Sequence, residues 1–203
     1  MQRPPFLKSG DKIGLVASAR KVSPEEMEPA LTVFQKWGFQ VVTGKNLYRQ
    51  FNQFAGTDKE RASDLQNMIN DPAIKAIVCA RGGYGSIRIL NLVDLSPLLK
   101  HPKWIIGYSD VTVLHSALHK IGVESLHATM PLNFPRDLSE DESLKDLKST
   151  LSGKVPQYSI APHPLNRNGE VSGILTGGNL SILYSLRGTP TDIDTDGKIL
   201  FIE

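Results

Sequence analysis

The sequence predicts an α/β fold built on a parallel sheet with helices on both faces. Three observations carry this. Strand-like and helix-like segments alternate from Lys12 to about Leu151. The strand-like segments are continuous apolar runs, as expected of strands covered on both faces, and not the alternating pattern of a half-exposed sheet. The connections are short, and several helices announce their starts with capping boxes.

The elements follow in order. Lys12–Ala17 reads as a first buried strand. Ser23-Pro24-Glu25-Glu26 is a capping box with proline at the first helical position. Met27, Ala30, Leu31 and Phe34 then mark one helical face, and Gly38 supplies the stop. Phe39–Thr43 is a second strand. Thr57-Asp58-Lys59-Glu60 opens another boxed helix, with Ala62, Leu65, Met68 and Ile69 on one face. Ile74–Ala80 is a third strand and Ile87–Val93 a helix. Trp104–Ile106 is a fourth strand, Asp110–Ile121 the helix after it, and Ser125–Ala128 a short strand. Ser139-Glu140-Asp141-Glu142 predicts a third boxed helix, to about Leu151.

After Gly153 the character changes. Prolines at 156, 162 and 164 and the stretch Asn166–Gly169 read as a linker. A new unit is then predicted: a strand over Val171–Leu175, a turn at Gly177-Gly178-Asn179, a helical stretch over Leu180–Leu186 and a strand over Lys198–Ile202. The expected division is 1–153 for the α/β domain, 154–169 for the linker and 170–203 for the start of a second domain. Because Glu203 directly follows an apolar strand, that second domain is expected to be cut short.

Composition narrows the partners. Among 203 residues, 23 basic and 21 acidic side chains leave a net charge of +2, and no basic run is present. Such a balance points to neither a nucleic-acid nor a membrane surface. The one cysteine, Cys79, lies in an apolar strand and is expected to be a buried thiol, with no internal disulfide and no zinc cluster. The N-terminal residues lack the apolar core of a signal peptide, so a cytoplasmic setting is expected.

Two predicted strand ends carry unusual residues. After the third strand stands Arg81-Gly82-Gly83-Tyr84-Gly85, and after the fourth Gly107-Tyr108-Ser109-Asp110. The second has the layout of a nucleophile elbow, a serine in a sharp strand-to-helix turn, although Val111 replaces the second glycine of the G-x-S-x-G form. The alternative is that Ser109 caps the following helix. Adjacent glycines at a helix start can offer N–H groups to an anion or an oxyanion. The glycine turn matches neither the dinucleotide fingerprint nor a Walker A loop, and a purely structural turn is its alternative. If the two strands are neighbours, both loops open at one rim.

A serine nucleophile needs a base. Of five histidines, His115 and His119 share a helix face at i, i+4, but without an acidic third ligand in register they are read as packing or surface residues rather than as a metal pair. His115 lies about 9 Å along the helix from Ser109, too far for a base. His101 and His163 fall in loops beside prolines. His127, at the end of a short strand, is the one local candidate, and no histidine is assigned the role.

Gly-Tyr-Ser-Asp at 107–110, preceded by Arg81-Gly82-Gly83-Tyr84-Gly85, resembles the LD-carboxypeptidase (murein tetrapeptide carboxypeptidase) family of serine peptidases. Phe54-Ala55-Gly56-Thr57-Asp58 with Arg61 and Asp64-Leu65, Gly177-Gly178-Asn179-Leu180 with Gly188-Thr189-Pro190, and Lys198–Glu203 resemble further motifs of that family. The resemblance implies a flavodoxin-like α/β domain and a C-terminal domain with a Ser-His-Glu triad between them. Ser109 would be the nucleophile and Glu203 the orienting carboxylate. Backbone N–H groups near Gly83 and of Asp110 would form the oxyanion hole. Arg81 and Gly82 would hold the substrate's terminal carboxylate, on their position alone. The implied substrate is a murein tetrapeptide or muropeptide ending in D-alanine. No metal or organic cofactor is implied, and a homodimer is suggested by the family. The triad histidine would lie in the C-terminal domain beyond residue 203, so this fragment is expected to be nearly inactive. Three other readings stand beside it: a microcin C immunity-type peptidase of the same superfamily, a non-catalytic anion-binding flavodoxin-like module, and a structural fragment without function.

Overall fold

The structure is a computed structural model that describes residues 1–203. Five parallel strands form the main sheet: β1 (Lys12–Val16), β2 (Gln40–Thr43), β3 (Ile74–Cys79), β4 (Trp104–Gly107) and β5 (Leu126–His127). Their order is β2-β1-β3-β4-β5, the flavodoxin-like order of doubly wound sheets. The apolar runs of β1, β3 and β4 form strands because each is covered on both faces. On one face α1 (Pro24–Lys36) and α6 (Glu142–Leu151) bury Phe34, Leu144 and Leu147 with Leu15, Val78 and Ile106. On the other, α2 (Asp58–Asn70) and α5 (Thr112–Lys120) bury Leu65, Ile69, Leu114 and Leu118 with Ile77 and Ile105. Cys79 is fully buried, and burial pushes its thiol up to about 12.

Two of the three predicted capping boxes form. The Ser23 hydroxyl accepts the Glu26 N–H and the Glu26 carboxylate accepts the Ser23 N–H, and Thr57 and Glu60 do the same for α2. The third box does not form. Asp141 caps α6 by accepting the Leu144 N–H, while the Ser139 N–H turns back to Asp137. The aspartate two residues nearer the helix takes the cap. The Ile87–Val93 helix is shorter than predicted: α3 (Ser86–Ile89) runs into a 3₁₀ turn, and a further short helix, α4 (Pro97–Lys100), precedes β4.

After α6 the chain forms a two-stranded parallel sheet, β6 (Leu175–Gly178) and β7 (Ile199–Ile202), joined through α7 (Leu180–Ser185). Gly177 and Gly178 are strand residues, not the predicted turn, and the strand predicted over 171–175 begins only at Leu175. The reason is close approach. A Cβ on Gly177 would lie 1.8 Å from the Phe201 carbonyl oxygen, so this strand can pair with β7 only where side chains are missing. The Asn179 N–H donates to Thr112 Oγ1 at 3.0 Å and pins the end of β6 to α5.

Arg61 is the largest side chain fully enclosed in the structure. Its Nε donates to the Ser18 carbonyl (3.1 Å), Nη1 to the Gly56 carbonyl (2.9 Å) and Nη2 to Asp58 Oδ1 (2.6 Å) and the Gly85 carbonyl (3.5 Å). It thus ties the segments after β1 and β3 to α2. Arg61→Met would strand those acceptors and is expected to cost about 2–4 kcal/mol in urea unfolding. Arg88→Met, which breaks the solvent-facing Arg88–Asp58 pair, is expected to cost under about 1 kcal/mol. Equal losses would contradict this account.

Candidate active site

β3 and β4 are parallel neighbours, with Val78 opposite Ile106, so the two unusual loops open at the same rim. At the end of β4 the chain passes through extended Tyr108 and reverses at Ser109, whose φ is +58°. A single non-glycine residue in this region costs about 1–2 kcal/mol. A 3₁₀ turn (Ser109–Val111) and α5 follow at once. No side chain caps either start, so Ser109 is not the helix cap that the alternative reading required. Its hydroxyl is left without a hydrogen-bond partner, at a partly exposed position.

Three contacts hold the bend. His115, buried on α5, places Nε2 2.9 Å from the Gly107 carbonyl oxygen and Nδ1 2.8 Å from Ser125 Oγ. A carbonyl can only accept, so Nε2 carries the proton and Nδ1 accepts from the Ser125 hydroxyl. With both nitrogens engaged, His115 has none to give to a metal. Asp110, 1% exposed, accepts the Ser86 N–H at Oδ2 (2.8 Å), while Oδ1 has no partner. This bond joins the elbow to the start of α3 and hence to the glycine turn. The sequence reading used only the Asp110 backbone N–H. An acidic side chain in the first turn of an otherwise apolar helix was the signal for its second role.

The glycine turn lies directly on Ser109. Gly82 is buried, and a Cβ there would sit 3.3 Å from both the Asp110 nitrogen and Ser109 Cβ. Gly83 is exposed on the same turn. Arg61 steadies the turn's far end through Gly85. Arg81 Nη1 donates to the Lys21 carbonyl at 3.2 Å, so part of its guanidinium is already engaged.

β7 delivers Glu203 to this rim. Its backbone pairs with Gly178 and Leu180, and its Oε2 lies 3.3 Å from the Ser109 nitrogen, accepting that N–H from 94 residues away. The Ser109 N–H is therefore committed to the carboxylate. The register pair Gly107–His127 sets His127 beside the elbow, with Nε2 3.6 Å from Glu203 Oε2. None of the five histidines hydrogen-bonds the Ser109 hydroxyl. His101 and His163 are exposed, and His119 lies further along α5. A groove of about 890 Å³ opens alongside, lined by Tyr108, His127, Asn133, Asp146 and Tyr158 among others.

His115 gives the site a pH limit. Burial holds its pKa down, at about 4 against an ordinary 6.5. Between those values the unfolded chain binds a proton that the folded chain refuses, so stability falls as pH drops through this window. The loss attributable to His115 is roughly 3 kcal/mol when complete. Urea unfolding at pH 7 and pH 4.5 should show a smaller pH difference in His115→Gln than in the parent. An identical difference would remove His115 as the cause.

Comparison with known proteins places this geometry. Residues 13–128 match the LD-carboxypeptidase N-terminal domain and residues 172–203 the LD-carboxypeptidase C-terminal domain. The chain is 40% identical to the probable murein peptide carboxypeptidase of Bacillus subtilis, with 99% of this chain and 64% of that protein aligned. It therefore spans less than two thirds of that relative's length. The crystal structure of muramoyltetrapeptide carboxypeptidase from Oxalobacter formigenes superposes with a TM-score of 0.83 at 31% identity, covering 94% of this chain and 65% of that one. The MccF-like protein of Bacillus anthracis gives 0.84 at 25% identity, covering 100% and 69%. Two family domains matched in order, on a sheet whose rim gathers Ser109, the glycine turn and Glu203, make this chain a member of the LD-carboxypeptidase family.

Proposed function

We propose that the chain carries the nucleophile and the acidic member of a serine LD-carboxypeptidase that releases the terminal D-alanine from murein tetrapeptides. The observation that carries this reading is the left-handed Ser109 at a strand-to-helix bend with the Glu203 carboxylate on its N–H. Relatives named as murein peptide and muramoyltetrapeptide carboxypeptidases supply the substrate class. In this reading residues 1–153 form the nucleophile-bearing domain, 154–169 a linker, and 170–203 belong to a second domain. A cytoplasmic setting and a homodimer complete it.

The geometry supports the following roles. Ser109 Oγ attacks the carbonyl carbon of the L,D-amide while its proton passes to a base. The carbonyl oxygen gains the negative charge and is met by the Asp110 and Gly83 N–H groups, usually a large contribution in acyl transfer. The C–N bond breaks, D-alanine leaves with a proton on its nitrogen, and an ester to Ser109 remains. Water then cleaves the ester and frees the tripeptide. Arg81 and Gly82 would receive the D-alanine carboxylate, and the groove beyond Tyr108 would take the stem peptide.

A second reading within the superfamily, a microcin C immunity-type peptidase, draws on the MccF-like fold match. The higher identity to the murein enzymes favours the first. The assay is D-alanine release from a murein tetrapeptide by the full-length protein. Ser109→Ala should lower kcat by at least about 10³-fold. A variant as fast as the parent would end the serine-peptidase reading.

A further inference from the structure

His127 is not used by the mechanism above, yet it stands at the site's carboxylate. Two independent pieces of backbone bring the pair together. The β4–β5 register sets His127 opposite Gly107, and β7 ends on Glu203. The two side chains are only 26% and 32% exposed, with Nε2 and Oε2 3.6 Å apart. The imidazole is also clamped. Phe201, two residues before Glu203, meets it edge-on at 5.0 Å, and His115 and Tyr108 lie at 6.0 and 6.1 Å.

We propose that His127 is a positioning residue: its Nε2–H faces Glu203 Oε2, fixes the carboxylate against the elbow and leaves Oε1 for the base that takes the Ser109 proton. This inference rests on the reading of Ser109 and Glu203 given above. Glu203 Oε2 accepts the Ser109 N–H and lies 3.6 Å from His127 Nε2, so one oxygen is committed on its strand side. A carboxylate bonded at the elbow and flanked by His127 is restrained from swinging away, and a group misplaced by about 1 Å can cost 10²-fold in rate. His127 makes no hydrogen bond to the Ser109 hydroxyl, which separates this role from that of a base.

The charges around His127 are few. Burial lowers its pKa and the Glu203 carboxylate pulls it back up. His115 on α5 is neutral above about pH 4, and Tyr108 is the other titratable side chain against the ring. Across the groove α6 carries Glu142, Lys145 and Asp146, and Asp141 precedes it. Glu203 is thus the charge that His127 senses most directly.

The test uses the full-length protein in four variants, assayed for D-alanine release and titrated by NMR at the His127 imidazole nitrogens. His127→Leu should lower kcat by about 10–100-fold with little change in KM, and His127→Gln, which keeps a donor, should recover part of that loss. In Glu203→Gln the His127 pKa should fall, because the raising charge is gone. A His127→Leu enzyme with the parent kcat, while Ser109→Ala is dead, would overturn the inference. So would a His127→Gln loss as deep as that of Ser109→Ala, which would make residue 127 the proton acceptor. Should Ser109→Ala stay active, the peptidase reading fails, and the titration alone decides the pairing. An unchanged His127 pKa in Glu203→Gln would then overturn it.

Discussion

The candidate site depends on one backbone conformation: Ser109 in the left-handed region. That geometry is locally unfavourable by about 1–2 kcal/mol, so it persists only because its surroundings over-determine it. The His115 imidazole holds the carbonyl before the bend. The Asp110 carboxylate ties the bend to the next loop. Both are buried, and both would leave unpaired polar groups if the bend relaxed. A strained serine gains a hydroxyl that no helix start consumes. The same residue types in a relaxed turn would give a cap and no chemistry.

The parallel sheet converts this local bend into a site. Because β3 and β4 run the same way side by side, the glycine turn and the elbow leave the sheet together. Gly82 then lets the two backbones touch, and Arg61 and Ser86 hold the turn from behind. β6 and β7 add what the five-stranded sheet does not carry. Their register runs through Gly177 and Gly178 and ends with Glu203 at the Ser109 N–H. Without a pinned β6, the carboxylate would have no fixed place.

Much of this was legible in the sequence because it is local. The strands of the main sheet, two of the three capping boxes and the elbow rest on spacing and residue type within a few positions. The errors have physical causes too. Ser139 lost the α6 cap to Asp141, and Gly177-Gly178 read as a turn because their close approach to Phe201 involves a strand more than 20 residues away. The Asp110–Ser86 bond, the four-acceptor burial of Arg61 and the meeting of His127 with Glu203 join distant residues, and no periodicity encodes such meetings. The family resemblance named Ser109 and Glu203, but not the residues that hold them in place.

The most direct measurement is a crystal structure of the full-length protein after reaction with a fluorophosphonate. The account predicts phosphorus bonded to Ser109 Oγ, with the phosphoryl oxygen about 3 Å from the Asp110 and Gly83 amide nitrogens. An unmodified Ser109, or an adduct whose oxygen points away from the glycine turn, would contradict it.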